Sequence, residues 1–263
     1  MNIATLHKLR NAQSGVSYNS YLQGVIDRAT VLGYAIPPSA TLQVISDGLD
    51  AIGSTILSAT DCLKYYKTGV GYSQFATLNY IDPTVFQSVL VNAPSHTADG
   101  FQLTGSEYIN SGFAPASGTN YVQDDLMFGL WVKNAPARSS QYLMGVIDTI
   151  FSSSSRIVPN LSAGSCVFAA NDNGANGGNV GQTDTGLYLV RRDNGTTKSM
   201  NINGVDKFLG TSSTPRSLGT DVFAEGAVNN KGSIAGHCVN TIQGAYYGAA
   251  LTETQCATLN AFI

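Results

Sequence analysis

Between Ser20 and Gly33 the apolar residues Leu22, Val25, Ile26, Ala29 and Leu32 recur at spacings of three and four. That period puts them on one face of an amphipathic helix. Ser20 stands where a cap is expected and Gly33 where a helix stops. Pro37-Pro38-Ser39 breaks the chain, and Leu42, Ile45, Leu49, Ile52 and Ile56 then resume the helical period. The two segments read as a helical hairpin. Gly48 and Gly53 each cost the second helix about 1 kcal/mol relative to Ala. Such a helix is expected to rely on packing against a partner or on close approach of another backbone. The stretch from Asp61 to Tyr66 fits helix or strand, and Asp82-Pro83 reads as a turn.

Further on, the helical period disappears. Runs rich in β-branched and aromatic residues recur at 85–91, 107–109, 126–133, 142–148, 165–170, 186–192, 198–202, 221–226 and 244–251, between clusters of Gly, Ser and Asn. Short strands at this spacing indicate a sandwich or jelly roll. Residues 126–133 are apolar almost throughout, as in a central strand covered on both faces, with Trp131 anchoring part of the core. Asn203-Gly204 tolerates the two positive φ angles of a type I′ turn, so residues 198–209 read as a hairpin. Thr252 and Gln255 have capping-box spacing, and Leu251 is placed to staple onto Cys256, so 252–263 should be one short terminal helix. Loops are expected at 114–123, 136–141, 171–186 and 209–219. The fold class is mainly β, a sandwich preceded by a small helical N-terminal region. The division falls near residue 84, giving 1–84 and 85–263.

With 263 residues and 43% hydrophobic content the chain can bury a sizeable core. Charged residues are only 12%, against ~25% in an average soluble domain. Such a surface is either covered by neighbours or built from polar uncharged loops. A net charge of −3 gives no basic footprint for nucleic acid. Arg191-Arg192 is the one adjacent basic pair, expected at a strand end with one side chain outward. Residues 1–10 carry Lys8 and Arg10 with no apolar segment after them, so no secretory signal is read. No apolar run approaches the ~20 residues of a membrane span. Cys62, Cys166, Cys238 and Cys256 form no CxxC pair; buried free thiols are expected, and a Cys166–Cys238 disulfide stays open.

Catalytic chemistry is thin. Glucanases of sandwich fold place carboxylates at alternate positions on one strand, and no strand here offers that. The glutamates are Glu107, Glu225 and Glu253, the last in the first turn of the terminal helix, and Asp124-Asp125 sit at a strand's polar start. His7, His96 and His237 lie in three separate segments, and Gly174 to Gln182 lacks the Lys-Thr and helix of a phosphate cradle. No catalytic, cofactor or metal residue is assigned.

Residues 65–113 resemble a family of tailed-phage virion proteins that carry a concanavalin A-like, or laminin-G-like, jelly roll. The matching residues are Phe75-Ala76, Asn79, Pro83, Gly100-Phe101 and Tyr108-Ile109-Asn110-Ser111-Gly112-Phe113. Later blocks also match, at Gly186-Leu187-Tyr188 to Arg191, Asn203-Gly204-Val205, and Leu251-Thr252 to Leu259-Asn260. The likeness covers roughly 60–263. The chain departs from the pattern at Phe223-Ala224-Glu225-Gly226, where the family more often has an apolar residue. Glu225 is expected to point outward; inward, it would need a partner.

The resemblance implies a structural component of a phage virion, of the head-fibre or tail-fibre type, made in the host cytoplasm. Residues 1–84 would dock on other virion proteins, and the sandwich would be displayed for assembly or host attachment. Fibres are built from identical subunits, so a homo-oligomer is expected, a trimer first. The alternative is a lectin-like carbohydrate-binding module. Tyr121, Tyr142, Tyr246 and Tyr247 are the candidate glycan contacts, although tyrosines at adjoining strand positions usually divide into one core and one surface residue. Laminin-G-like domains often bind Ca²⁺ through loop oxygens; Asp172 and Asp184 are the nearest candidates, and an Asx-turn role competes.

Overall fold

Alternation along one strand organises the molecule. In Leu126–Val132, the side chains of Leu126, Phe128, Leu130 and Val132 join one buried cluster, and those of Met127 and Trp131 join another. Successive strand residues point to opposite faces, so apolar residues at both parities demand cover on both sides. The central strand expected from the sequence is found.

The computed structural model describes residues 16–136, 141–148, 153–161, 165–172, 176–178, 184–211 and 215–263. In chain order they form α1 (Ser20–Leu32), α2 (Ser39–Ser58), β1 (Thr60–Tyr65), α3 (Ser73–Ala76), β2 (Val89–Val91), β3 (Ser95–Thr97), β4 (Gly100–Gln102), β5 (Tyr108–Asn110), β6 (Leu126–Val132), β7 (Met144–Ile147) and β8 (Ser154–Leu161). Then come β9 (Ser165–Asp172), β10 (Asn176–Gly178), β11 (Gly186–Arg192), β12 (Thr197–Ile202), β13 (Val205–Thr211), β14 (Ala224–Glu225), β15 (Val228–Asn230), β16 (Ser233–Ala235), β17 (Thr241–Gly248) and α4 (Glu253–Asn260). Residues 137–140, 173–175, 179–183 and 212–214 of the expected loops lie outside the described residues, as do His7 and the rest of 1–15.

One sheet runs β13-β12-β11-β6-β17-β4-β3, with β1 also on β17; the other runs β10-β9-β8-β7-β14-β5-β2, with β15 on β7 and β16 on β15. β15 lies parallel to β7. The facing sides of the two sheets enclose the larger core, including Phe101, Phe113, Phe128, Tyr188, Phe223 and Tyr247. The chain is a mainly β two-sheet sandwich.

The other side of the first sheet is covered by helices. Leu22, Val25, Ile26, Leu42, Ile45, Leu49, Ile52 and Ile56 share a core with Met127, Trp131, Leu187, Leu189 and Tyr246. The hairpin therefore spends its apolar face within this chain. Asn19 caps α1, its side chain accepting from the N–H of Tyr21 at 3.0 Å, one residue before the cap expected. Gly48 faces Phe262, where a Cβ would lie 3.0 Å from the ring. The close approach expected of this helix is met by the C-terminal segment. At Gly53 the helix kinks, with φ 76° and ψ 162°. Among the described residues no helix is long and apolar enough to cross a membrane.

Several expectations are corrected. Of the stretch Asp61 to Tyr66, which fitted helix or strand, all but Tyr66 is strand: β1 pairs with β17, Leu63 opposite Tyr246. The sandwich thus begins near residue 60, and a division at 84 would cut its first strand from the sheet. Strands β3, β4, β8, β15 and β16 were not expected, and β10 lies inside the loop assigned to 171–186. Arg191 and Arg192 are both buried, because both faces of β11 are covered. The four cysteines are buried, with no disulfide among the described residues. Asn203 (φ 54°) and Gly204 (φ 83°) form the expected turn, and α4 has the expected capping box at Thr252 and Gln255, ending at Asn260.

Candidate functional site

Glu225 points into the sandwich, contrary to the outward expectation. Its strand β14 is held between β5 and β7, and the side chain meets the opposite sheet. Oε2 accepts from the Tyr66 hydroxyl at 2.7 Å and Oε1 from the Tyr247 hydroxyl at 2.8 Å. The partner that a buried carboxylate requires is thus a pair of tyrosines. Burial pushes the Glu225 carboxyl above its ordinary range, opposed by the two tyrosine bonds and the Lys64 charge. Lys64 is itself fully buried, donating to the carbonyls of Thr77 (3.0 Å) and Phe86. Burial lowers its pKa.

The other glutamates are elsewhere. Glu107 is half-buried at the surface and accepts from the backbone N–H and hydroxyl of Thr104 and the N–H of Ser106, which hold its carboxyl down at about 2. Glu253 accepts from the N–H of Asp206 at 3.0 Å. His96, half-buried, places Nε2 2.9 Å from the Tyr66 carbonyl, and burial lowers its pKa.

Asp172 is fully buried and paired with Arg192 at 3.1 Å and with Lys198. Arg192 also donates to the Ala170 carbonyl at 2.8 Å, tying β11 of one sheet to β9 of the other. Two cations already face this carboxylate, which removes it as a calcium ligand. Among the described residues no group of three or more His, Cys, Asp or Glu could hold a metal.

Three of the four candidate glycan tyrosines present no ring to solvent: Tyr121, Tyr246 and Tyr247 are 0% exposed. Tyr247 stacks on Phe113 at 4.8 Å in the sandwich core. Tyr246, on the other face of β17, lies in the helix-covered core, and its hydroxyl donates to the Ala249 carbonyl. One of this pair was expected at the surface; the helical layer covers it. Tyr121 packs edge-on to Phe113 at 5.5 Å. Tyr142 remains half-buried, its N–H donating to Gly236 at 2.8 Å.

Where β6, β11, β17 and the end of α4 meet, there is a recess of about 270 Å³ lined by Trp131, Val132, Lys133, Thr185, Gly186, Gln243, Asn260 and Ile263. Of these, Trp131 was singled out from the sequence as a core anchor, and Gly186 and Asn260 only as members of blocks that carry the family resemblance. Gln243 belongs to no motif, and no sequence signal marks it.

No family model and no curated protein matches the chain. Solved structures do, and they place it among β-sandwich domains. One is domain 4 of AbnA, a GH43 extracellular arabinanase from Geobacillus stearothermophilus, in complex with arabinotriose: TM-score 0.50, 16% identity, 76% of this chain and 98% of that one covered. Another is the botulinum neurotoxin serotype D ligand-binding domain in complex with N-acetylneuraminic acid: TM-score 0.52, 8% identity, 80% of this chain and 52% of that one. At such identities the likeness shows the fold alone.

Proposed function

We propose that this chain is a non-catalytic recognition module whose sandwich binds a glycan, carried as a structural component of a tailed-phage particle. The observation that carries the glycan reading is the fold shared with two domains whose structures hold a sugar, arabinotriose in one and N-acetylneuraminic acid in the other. The closure of Glu225 within the core supports binding over hydrolysis, since a substrate would have to displace two tyrosines to reach it. A glycan array probed with the full chain tests this reading. Saturable binding of a sugar class supports it, and silence across the array removes it.

The virion setting is favoured by a different consideration, the resemblance of residues 65–113 and the later blocks to phage virion proteins. Because the apolar face of the hairpin is turned onto the sheet, docking on other virion proteins, or assembly into a trimer, would use its outer side, where Val31 and Val44 are exposed. Copurification of the chain with intact particles supports the setting, and absence from them ends it.

A further inference from the structure

Trp131 is the chain's single tryptophan, and its buried indole N–H has no hydrogen-bond partner among the described residues. Burying a polar donor without a bond costs about 1–3 kcal/mol, a cost that phenylalanine would not carry at this position. The residue also lines the 270 Å³ recess at the end of α4, together with Lys133, Thr185, Gln243, Asn260 and Ile263. An orphan donor and an open recess thus share one side chain.

We propose that this recess is the sugar subsite, taking a single neutral sugar ring with one hydroxyl accepting from the Trp131 N–H. This rests on the glycan reading above and names where and how the sugar is held. A hydroxyl both donates and accepts, which suits a wall made of a pure donor, two planar amides and the Thr185 hydroxyl. The amides belong to Gln243 and Asn260, both half-buried, so their ends are presented without being free to swing far. Trp131 is only 2% exposed and its N–H is closed off from solvent in the unliganded chain, so a hydroxyl reaches it only as the indole edge shifts toward the recess, and recognition uses that edge and not the face. This differs from the tyrosine stacking that the sequence suggested.

Size and charge narrow the ligand further. The recess falls just below the ~300–1,000 Å³ range of ordinary small-molecule pockets, which fits one ring and excludes burial of an oligosaccharide. Lys133, its one cationic residue, is already paired with Asp99. That neutralised charge favours a neutral ring over an acidic one. Two larger recesses fit less well. In one, lined by Asp125, Arg191, Asp193 and Glu253, Arg191 is engaged by Asp193, Asp206 and Ser199. In the other, beside Tyr21, the Asp61 carboxylate is taken up by the N–H groups of Thr119, Asn120 and Tyr121. Neither is lined by a buried side-chain polar atom lacking a partner.

The single indole makes the test direct, because ¹⁵N labelling of the full chain gives one Trp131 Nε1–H cross-peak. Arabinose, galactose, glucose and N-acetylneuraminic acid would be titrated separately, alongside a glycan array. We expect a neutral sugar to shift that peak saturably, with Gln243→Ala and Asn260→Ala each weakening binding about tenfold while leaving cross-peaks remote from the recess unmoved, which shows that the fold is kept. Sugar binding with the indole peak unmoved and affinity intact in Gln243→Ala overturns the subsite and leaves the glycan reading standing. Binding of N-acetylneuraminic acid at the indole in preference to neutral sugars overturns the assignment of charge. No binding by any titration or on the array overturns both readings.

Discussion

The hydroxyl of Tyr247 stands 2.8 Å from Oε1 of Glu225, joining a strand of one sheet to a strand of the other through the middle of the core. Tyr66 makes the matching bond to Oε2. Burial raises the Glu225 pKa, so the folded state holds this proton more tightly than the unfolded chain does. Its contribution to stability is therefore fully present below the unfolded value of about 4.3 and is lost as pH rises through the raised folded value. Glu225→Gln keeps the shape and removes the charge. We expect the variant to match the parent near pH 4 and to exceed its Tm by a few degrees near pH 8, since about 1 kcal/mol moves Tm by ~2–4 °C at this size. A Tm difference that does not change between those pH values would refute the assignment.

Asp172 is the carboxylate that Arg192 and Lys198 share inside the fold. Removing one member of a buried ion group leaves charge without compensation, at a cost of about 3–5 kcal/mol. Asp172→Ala should therefore lose roughly that much in urea unfolding, with both cations still buried. A loss below about 1 kcal/mol, the scale of a surface pair, would show that the cluster is hydrated in solution.

How far the sequence could be read depended on whether a residue's environment was local. β6 was legible because its apolar run exceeds what one covered face requires, and the Asn203-Gly204 turn because two consecutive positive φ angles demand those residue types. β8 was not, since Ser154–Leu161 mixes Ser, Arg, Pro and Asn and is buried by its place between β7 and β9. The direction of Glu225 was hidden because β14 has two residues, too few to show a period. Tyr246 and Tyr247 were misread together because the layer covering Tyr246 comes from Leu22 to Ile56, about 200 positions earlier. Of the candidate subsite, Trp131 stood out as a core anchor, and Gly186 and Asn260 only as members of matching blocks; Gln243 and Asn260 become neighbours only when β17 and α4 are placed.

Gly204 tests the junction between the hairpin and α4. Its φ of 83° disfavours any Cβ, and an added Cβ would lie 2.6 Å from Cα of Ala257. Conformation and space thus act in the same direction. Gly204→Ala should destabilise by more than the ~1 kcal/mol expected where only the backbone angle objects, measured by denaturant midpoint at unchanged m-value. A cost at or below that figure would mean that α4 shifts to accommodate the methyl group.

The last prediction concerns whether the helical region can be separated from the sandwich. If residues 16–58 formed an independent docking arm, their removal would leave a stable sandwich beginning at Thr60. The structure argues otherwise, because Met127, Trp131, Leu187, Leu189 and Tyr246 on the outer face of the first sheet are covered by α1 and α2. Burial of a single large apolar side chain contributes about 1.5–3 kcal/mol, and five of them would lose helical cover at once. A chain starting at Thr60 is expected to aggregate or to unfold well below the parent's Tm, with Trp131 fluorescence shifted to the red. A milder change isolates the same contact: Leu49→Ala within α2 should cost about 2–5 kcal/mol in a single cooperative transition that both far-ultraviolet circular dichroism and Trp131 fluorescence report. Two separate transitions, the helices melting first while Trp131 stays buried, would instead establish the hairpin as a unit of its own.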